Sequence, residues 1–288
     1  MTVTPECVWD LKCQLGEGPI WFDGAVWFVD IKRDAIHRLT PATGATKTFA
    51  TPPMPGFIVP HKSGGFVVGL QAGLHRFDPN TGAFTPWFKV EPDKPGNRLN
   101  DGAVDPAGRL WFGSMDNGEK EATGSFYRLD ASGPTAVDSG IVITNGPCFS
   151  PDGRVCYHTD TRAKTIYAFD VAANGGLSNK RVFVTIAPGD GSPDGSTIDS
   201  EGCVWTGLYN GWSARRYAPD GTLLTTVRFP VSAVTKIAFG GPDLKTAYAT
   251  TASKHLDDAG RAKEPMAGSL FSFPADVAGL PQNAVVAP

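Results

Sequence analysis

The sequence predicts an all-β protein, a six-bladed β-propeller with four-stranded blades, and three observations predict it. One pattern recurs six times: a polar or glycine-rich entry, a tight turn, a β-branched or aromatic strand, then a second aromatic strand. The copies are spaced by roughly 40 to 50 residues, the size of one propeller blade. Gly (34) and Pro (24) are plentiful, and no stretch carries the long 3.6-residue apolar period of a helix. Six copies use almost all of the 288 residues. One propeller domain over residues 1–288 is therefore expected, since repeats added around an axis escape the size limit of a single core.

The repeats are anchored in chain order by second-strand residues. Trp27 anchors the first and Val67 the second. The third reads N-D-G-A-V-D-P-A-G-R-L-W-F-G-S-M followed by G-S-F-Y-R-L-D, anchored at Trp111. The fourth reads N-G-P-C-F-S-P-D-G-R-V-C-Y-H-T-D followed by T-I-Y-A-F-D, anchored at Cys156. Trp205 and Tyr248 mark the fifth and sixth. After Lys236 the sixth repeat offers only three strand candidates, ending at Leu270-Phe271-Ser272-Phe273, whereas the strand-like segment Cys7-Val8-Trp9-Asp10-Leu11 precedes the first repeat. That segment is predicted to be the last blade's fourth strand, closing the ring and removing two exposed edges.

Several function classes drop out on composition. The net charge of −3 is mixed along the chain without a Lys/Arg cluster, so no nucleic-acid or anionic-membrane partner is expected, and the partner is a small molecule. The first residues lack the basic start and apolar core of a signal peptide, and no run approaches the roughly 20 apolar residues of a membrane helix, so a cytoplasmic location is expected. Five scattered cysteines without C-x2-C spacing read as small buried hydrophobes and not as a thiol–metal site. No G-x-S-x-G word accompanies the five histidines. His158-Thr159-Asp160 aligns with Phe28-Val29-Asp30 of the first repeat, which gives its acid a structural task at a strand end. Trp27, Trp111 and Trp205 recur with the repeat and belong to the core; Trp212 breaks it, with loop packing favoured over a place in a pocket wall.

In a propeller the innermost strand of each blade begins beside the central channel. Ten or eleven positions before the anchors Trp27, Trp111, Cys156 and Trp205 stand Glu17, Asn100, Asn145 and Asp194. The second and last repeats offer Gly56 or Phe57 and Thr235 or Lys236 there. Carboxylates near the axis repel and are costly to desolvate unless a cation or a hydrogen-bond network compensates. Two carboxylates and two carboxamides suit one divalent metal such as Ca²⁺, Mg²⁺ or Mn²⁺, with Zn²⁺ or Fe²⁺ tolerated. A water-filled channel in which Asn-Gly and Asp-Gly serve as turn formers fits position alone equally well.

The surrounding words decide between these. Leu15-Gly16-Glu17-Gly18-Pro19, Arg98-Leu99-Asn100-Asp101-Gly102, Thr144-Asn145-Gly146-Pro147 and Ser192-Pro193-Asp194-Gly195 together resemble the senescence-marker-protein/gluconolactonase family, which includes regucalcin. I-T-N-G-P-C-F-S-P-D-G and L-S-N-K-R-V-F-V look most like the words of bacterial pentonolactonases acting on xylonolactone or arabinonolactone. The resemblance implies a propeller with one divalent metal at the top of its channel, hydrolysing a sugar lactone. Glu17, Asn145 and Asp194 match the metal ligands, and Arg98 and Asn100 match sugar contacts. The family also places an acid after the third blade's second strand. Within Met115-Asp116-Asn117-Gly118-Glu119-Lys120-Glu121, both Glu119 and Glu121 fit that role, as does a solvated loop.

The residue types suit lactone hydrolysis, which needs a polarised carbonyl, an activated water and a stabilised oxyanion. A metal held by three protein groups keeps open positions for this work. Asp194 is expected to be the general base, with Arg98 and Asn100 orienting ring hydroxyls. A second reading, a metal-binding or ligand-sensing propeller without turnover, shares the fold and the ion.

Overall fold

The computed structural model describes residues 3–287. Among these, twenty-four strands form six antiparallel four-stranded sheets, the predicted six-bladed β-propeller. Blade one is β2–β5 (residues 16–50), blade two β6–β9 (57–89) and blade three β10–β13 (97–141). Blade four is β14–β17 (144–185), blade five β18–β21 (192–228) and blade six β22–β24 (234–274) with β1 (Glu6–Trp9). The predicted closure is present: β1 pairs antiparallel with β24, Glu6 opposite Ser272 and Cys7 opposite Phe271. Trp9 packs its edge on Phe28 of blade one, so the closing strand also seals the seam between first and last blades.

Blades three and five show why the repeat is legible. Asp105 follows the inner strand, and one of its oxygens accepts the N–H groups of Ala107 and Arg109 across the turn. Its other oxygen takes the indole N–H of Trp111 at 2.9 Å. Asp199 does the same for Glu201, Cys203 and Trp205. Each tryptophan thus fills the space between blades while its one polar atom is satisfied, as a buried indole requires. Trp27, with a shorter turn before it, has no partner for its N–H. The three indoles are core, as predicted.

Other expectations resolve locally. Asp30 and Asp160 are structural: Asp30 accepts backbone N–H groups from Gln14, Leu15 and Lys32, and Asp160 one from Ala163. His158 is buried and stacked on Phe126, ring centroids 4.1 Å apart. Burial drives its pKa down to about 3. Four cysteines are buried as expected, but Cys7 is exposed, because β1 lies on the outside of its sheet. Residues 278–286 cross one face of the ring, bonding through backbone to Ser200, Leu244, Gly108 and Pro60 of four different blades.

One feature of the inner strands positions the site. In five of the six, the register slips by one residue at the same place: Glu17 faces Val29 but Ile20 faces Trp27, and Asn145 faces Thr159 but Cys148 faces Tyr157. Equivalent slips lie between Leu99 and Gly102, Pro193 and Ser196, and Val234 and Ile237. These are β-bulges, which unpair a residue and re-aim side chains. Gly18 (φ 54°) and Gly146 (φ 42°) supply the left-handed backbone the bulge needs in blades one and four. Pro19 and Pro147 sit where no ladder N–H is called for. The inner strand pair of blade two has no bulge; its Phe57 is wholly buried, packed against Gly69 and Gly102.

Candidate active site at the channel mouth

The bulges bring the five sequence-predicted residues together. Glu17, Arg98, Asn100, Asn145 and Asp194 line one cavity of about 70 Å³ with Leu15, Met115, Glu119, Ile143, Thr161, Tyr209 and Lys254. A cavity of about 110 Å³ at the other end, partly covered by residues 280–283, contains no acidic side chain. The chemistry therefore concentrates at the first mouth.

A directed chain of hydrogen bonds runs through three blades. Arg98 Nη1 donates to Asn100 Oδ1 at 2.5 Å, and Asn100 Nδ2 donates to Asn145 Oδ1 at 2.8 Å and to the Thr144 carbonyl at 2.6 Å. Asn145 Nδ2 donates to Thr161 Oγ1 at 2.9 Å, and Thr161 donates to the Pro193 carbonyl at 2.8 Å. The chain ends beside Asp194. It fixes the orientation of the Asn145 amide, with its oxygen on the Asn100 side and one lone pair free. Asn100 has spent both amide protons on protein, so any ligand contact must come from its oxygen. Arg98 Nε and Nη1 are held by Asn117, Leu99 and Asn100, which leaves Nη2 as its free donor.

Glu17 and Asp194 are 3% and 6% exposed. Burial, then the charges of Asp194 and Asp101, push the Glu17 carboxyl well above its usual range. Burial and Asp101 push Asp194 up to about 7. Two buried carboxyls held above their usual range are stabilised as anions by a cation between them. With the Asn145 oxygen they make a hard donor set that fits one divalent ion. Arg98, 2% exposed, is lowered to about 10 by burial, while the charges of Glu119, Glu17 and Asp194 hold it up.

The mouth decides between the two loop acids. Asp116 accepts the N–H groups of Gly118, Lys120 and Glu121 and so winds the loop tightly, with Glu119 in left-handed backbone (φ 59°). Glu119 turns into the cavity and pairs with Lys254, whereas Glu121 is exposed outside it. Burial works against the Glu119 anion, but Lys254, Arg98 and Lys32 hold its pKa below the usual value. Three cations converge there. Burial, then Arg98 and Lys254, lower Lys32 to about 8.

Two cavity residues carry no repeat signal. Lys254 follows the second strand of blade six, and Tyr209 ends that of blade five. The Tyr209 hydroxyl is buried without a partner on the cavity wall. The neighbouring Trp212 is exposed and outside the cavity. A serine relay is absent here: Ser232 Oγ is 2.8 Å from His255 Nε2, but Glu264 accepts from the serine and leaves His255 Nδ1 unpartnered.

This chain belongs to the family described as SMP-30/gluconolactonase/LRE-like region, which residues 15–253 match. Among its relatives, the pentonolactonase XacC of Haloferax volcanii is 35% identical, over 98% of this chain and 97% of that protein. The 6-deoxy-6-sulfogluconolactonase of Pseudomonas putida is 31% identical, over 97% of each. The crystal structure of regucalcin from Agrobacterium tumefaciens, a calcium-binding protein, superposes with a TM-score of 0.94 at 30% identity, over 99% of this chain and 98% of that one. Among the described residues no helix is long and apolar enough to cross a membrane.

Proposed function

We propose that this lactone-hydrolysing enzyme acts on an aldonolactone, a pentonolactone such as xylonolactone first, with Glu17, Asn145 and Asp194 holding one divalent cation. The observation that carries the reading is the pair of buried carboxyls, Glu17 and Asp194, beside an amide oxygen locked in place and within one cavity with Arg98. The cation, when bound, supplies Lewis acidity toward the lactone carbonyl and acidifies a water. All else is the work of the chain. Asp194 accepts a proton from the attacking water and returns it to the ring oxygen as the C–O bond breaks, so the ring opens to a hydroxy acid. Arg98 Nη2, the remaining lone pair of the Asn100 oxygen, the Tyr209 hydroxyl and Glu119 offer donors and acceptors to the ring hydroxyls, and so orient the substrate. The pentonolactone relative and the polar wall both support a polyhydroxylated substrate.

The test is acid release from xylono-, arabinono- and gluconolactone above the spontaneous rate. The reading expects turnover of all three, with the highest kcat/KM on a pentonolactone. Tight cation binding with no rate above background would move the protein to the sensing class.

A further inference from the structure

Beneath the cavity lies a buried ion pair that the mechanism above leaves without a task. Lys236, in the bulge of blade six, is 6% exposed; Asp101, in the bulge of blade three, is 1% exposed. Lys236 Nζ donates to both Asp101 oxygens, at 2.7 and 2.8 Å. The same oxygens accept the N–H groups of Gly102 and Gly146, each at 2.8 Å. Such a pair adds little net stability, because desolvating two charges offsets most of their attraction.

Its contacts are placed for another purpose. Asp101 follows Asn100 in the chain, and its partner Gly146 follows Asn145. The aliphatic stem of Lys236 lies against Gly195, which follows Asp194: a Cβ there would stand 2.6 to 2.7 Å from the lysine Cβ, Cγ and Cδ. One ion pair thus touches the backbone next to three cluster residues in three successive blades. It also acts through charge. Both charges lie beside the cluster, since Asp101 holds the amide that follows Asn145 and Lys236 lies along Gly195, next to Asp194. With Asp101 and Lys236 cancelling, and Glu119 paired with Lys254, the two carboxyls Glu17 and Asp194 face only the Arg98 guanidinium, so the site keeps a negative charge for a cation.

We propose that the Asp101–Lys236 pair is a positioning device for the oxygen cluster, clamping the backbone beside Asn100, Asn145 and Asp194 and setting the channel charge for a single divalent cation. This rests on the reading of that cluster as a cation site. The experiment is calorimetric titration with Mn²⁺ of chelator-stripped parent, Asp101→Asn, Lys236→Met and the double variant, with circular dichroism and melting recorded for each.

Asp101→Asn leaves an uncompensated ammonium under the cluster and should weaken Mn²⁺ binding at least about tenfold. Lys236→Met leaves an uncompensated carboxylate and should tighten it. The double variant restores the charge balance without the clamp, so it should bind more tightly than Asp101→Asn yet stay several-fold weaker than the parent, a coupling that a merely structural contact does not produce. If one single variant does not fold, the sign of the change between the other and the double variant makes the same decision. Parental affinity in both single variants, or weakening in all three in step with lower melting temperature, overturns the proposal. A parent that binds no Mn²⁺ overturns the site reading as well, so the two failures are distinguishable.

Discussion

Thr161 tests the hydrogen-bond chain without touching charge. Thr161→Val keeps the shape of the side chain and removes the hydroxyl that accepts from Asn145 Nδ2 and donates to the Pro193 carbonyl. Asn145 is 3% exposed and Pro193 is buried, so both severed partners stay out of water. Each lost bond costs about 1 to 1.5 kcal/mol, which gives about 2 to 3 kcal/mol for the pair. In a chain of this size that lowers Tm by about 5 °C. Asn145 is then free to turn its amide, so part of the loss must also appear as cation affinity, on the order of tenfold for 1.4 kcal/mol. Scanning fluorimetry with and without Mn²⁺, together with kcat/KM on xylonolactone, reads both effects, and Thr161→Ser serves as the control that keeps the hydroxyl. A Thr161→Val protein with parental Tm and parental Mn²⁺ affinity would refute the claim that this chain holds Asn145 in place.

The general-base role of Asp194 predicts that Asp194→Asn lowers kcat by on the order of 10² to 10⁴, checked by single-turnover kinetics at saturating lactone and Mn²⁺. Removing residues 1–11 takes away β1, bares the edge of β24 and deprives Phe28 of Trp9; melting should fall sharply, and a truncated chain that melts like the parent would contradict the closure. His158 is neutral in the fold, with its pKa lowered to about 3 from 6.5 by burial, so the proton it binds on unfolding removes stability as pH falls from 6.5 toward 3. His158→Phe should therefore flatten the acid limb relative to the parent by up to about 1.4 kcal/mol per pH unit across that window, measured by urea melts from pH 7 to 4.

The fold was legible in the sequence because blades three and five carry the same physical requirement and the other blades share their strand pattern. An aspartate must tie the turn and take an indole N–H, as Asp105 and Asp199 do, and the resulting D-x-x-G spacing before Trp111 and Trp205 is visible without coordinates. Glu17, Asn100, Asn145 and Asp194 could be found by counting back from those anchors, since all four stand at or within the same bulge. The bulge itself leaves a weaker trace, a glycine or proline beside Glu17, Asn145 and Asp194, which serves ordinary turns equally well. Glu119 and Glu121 were indistinguishable because the choice is made by Asp116, whose side chain winds the loop. Tyr209 and Lys254 reach the cavity from the ends of second strands, where neighbouring blades share no pattern. Lys236 stood at a repeat position but carried the wrong charge for a ligand; only its pairing with Asp101, 135 residues away, explains a cation there.

The most direct test of the account is lactone hydrolysis by protein stripped of metal with chelator and then resupplied with single divalent ions. The account predicts that acid release from xylonolactone falls to the spontaneous rate on stripping, returns with at least one of Ca²⁺, Mg²⁺, Mn²⁺, Zn²⁺ or Fe²⁺, and does not return in Glu17→Gln. Full turnover by the exhaustively stripped parent would contradict it.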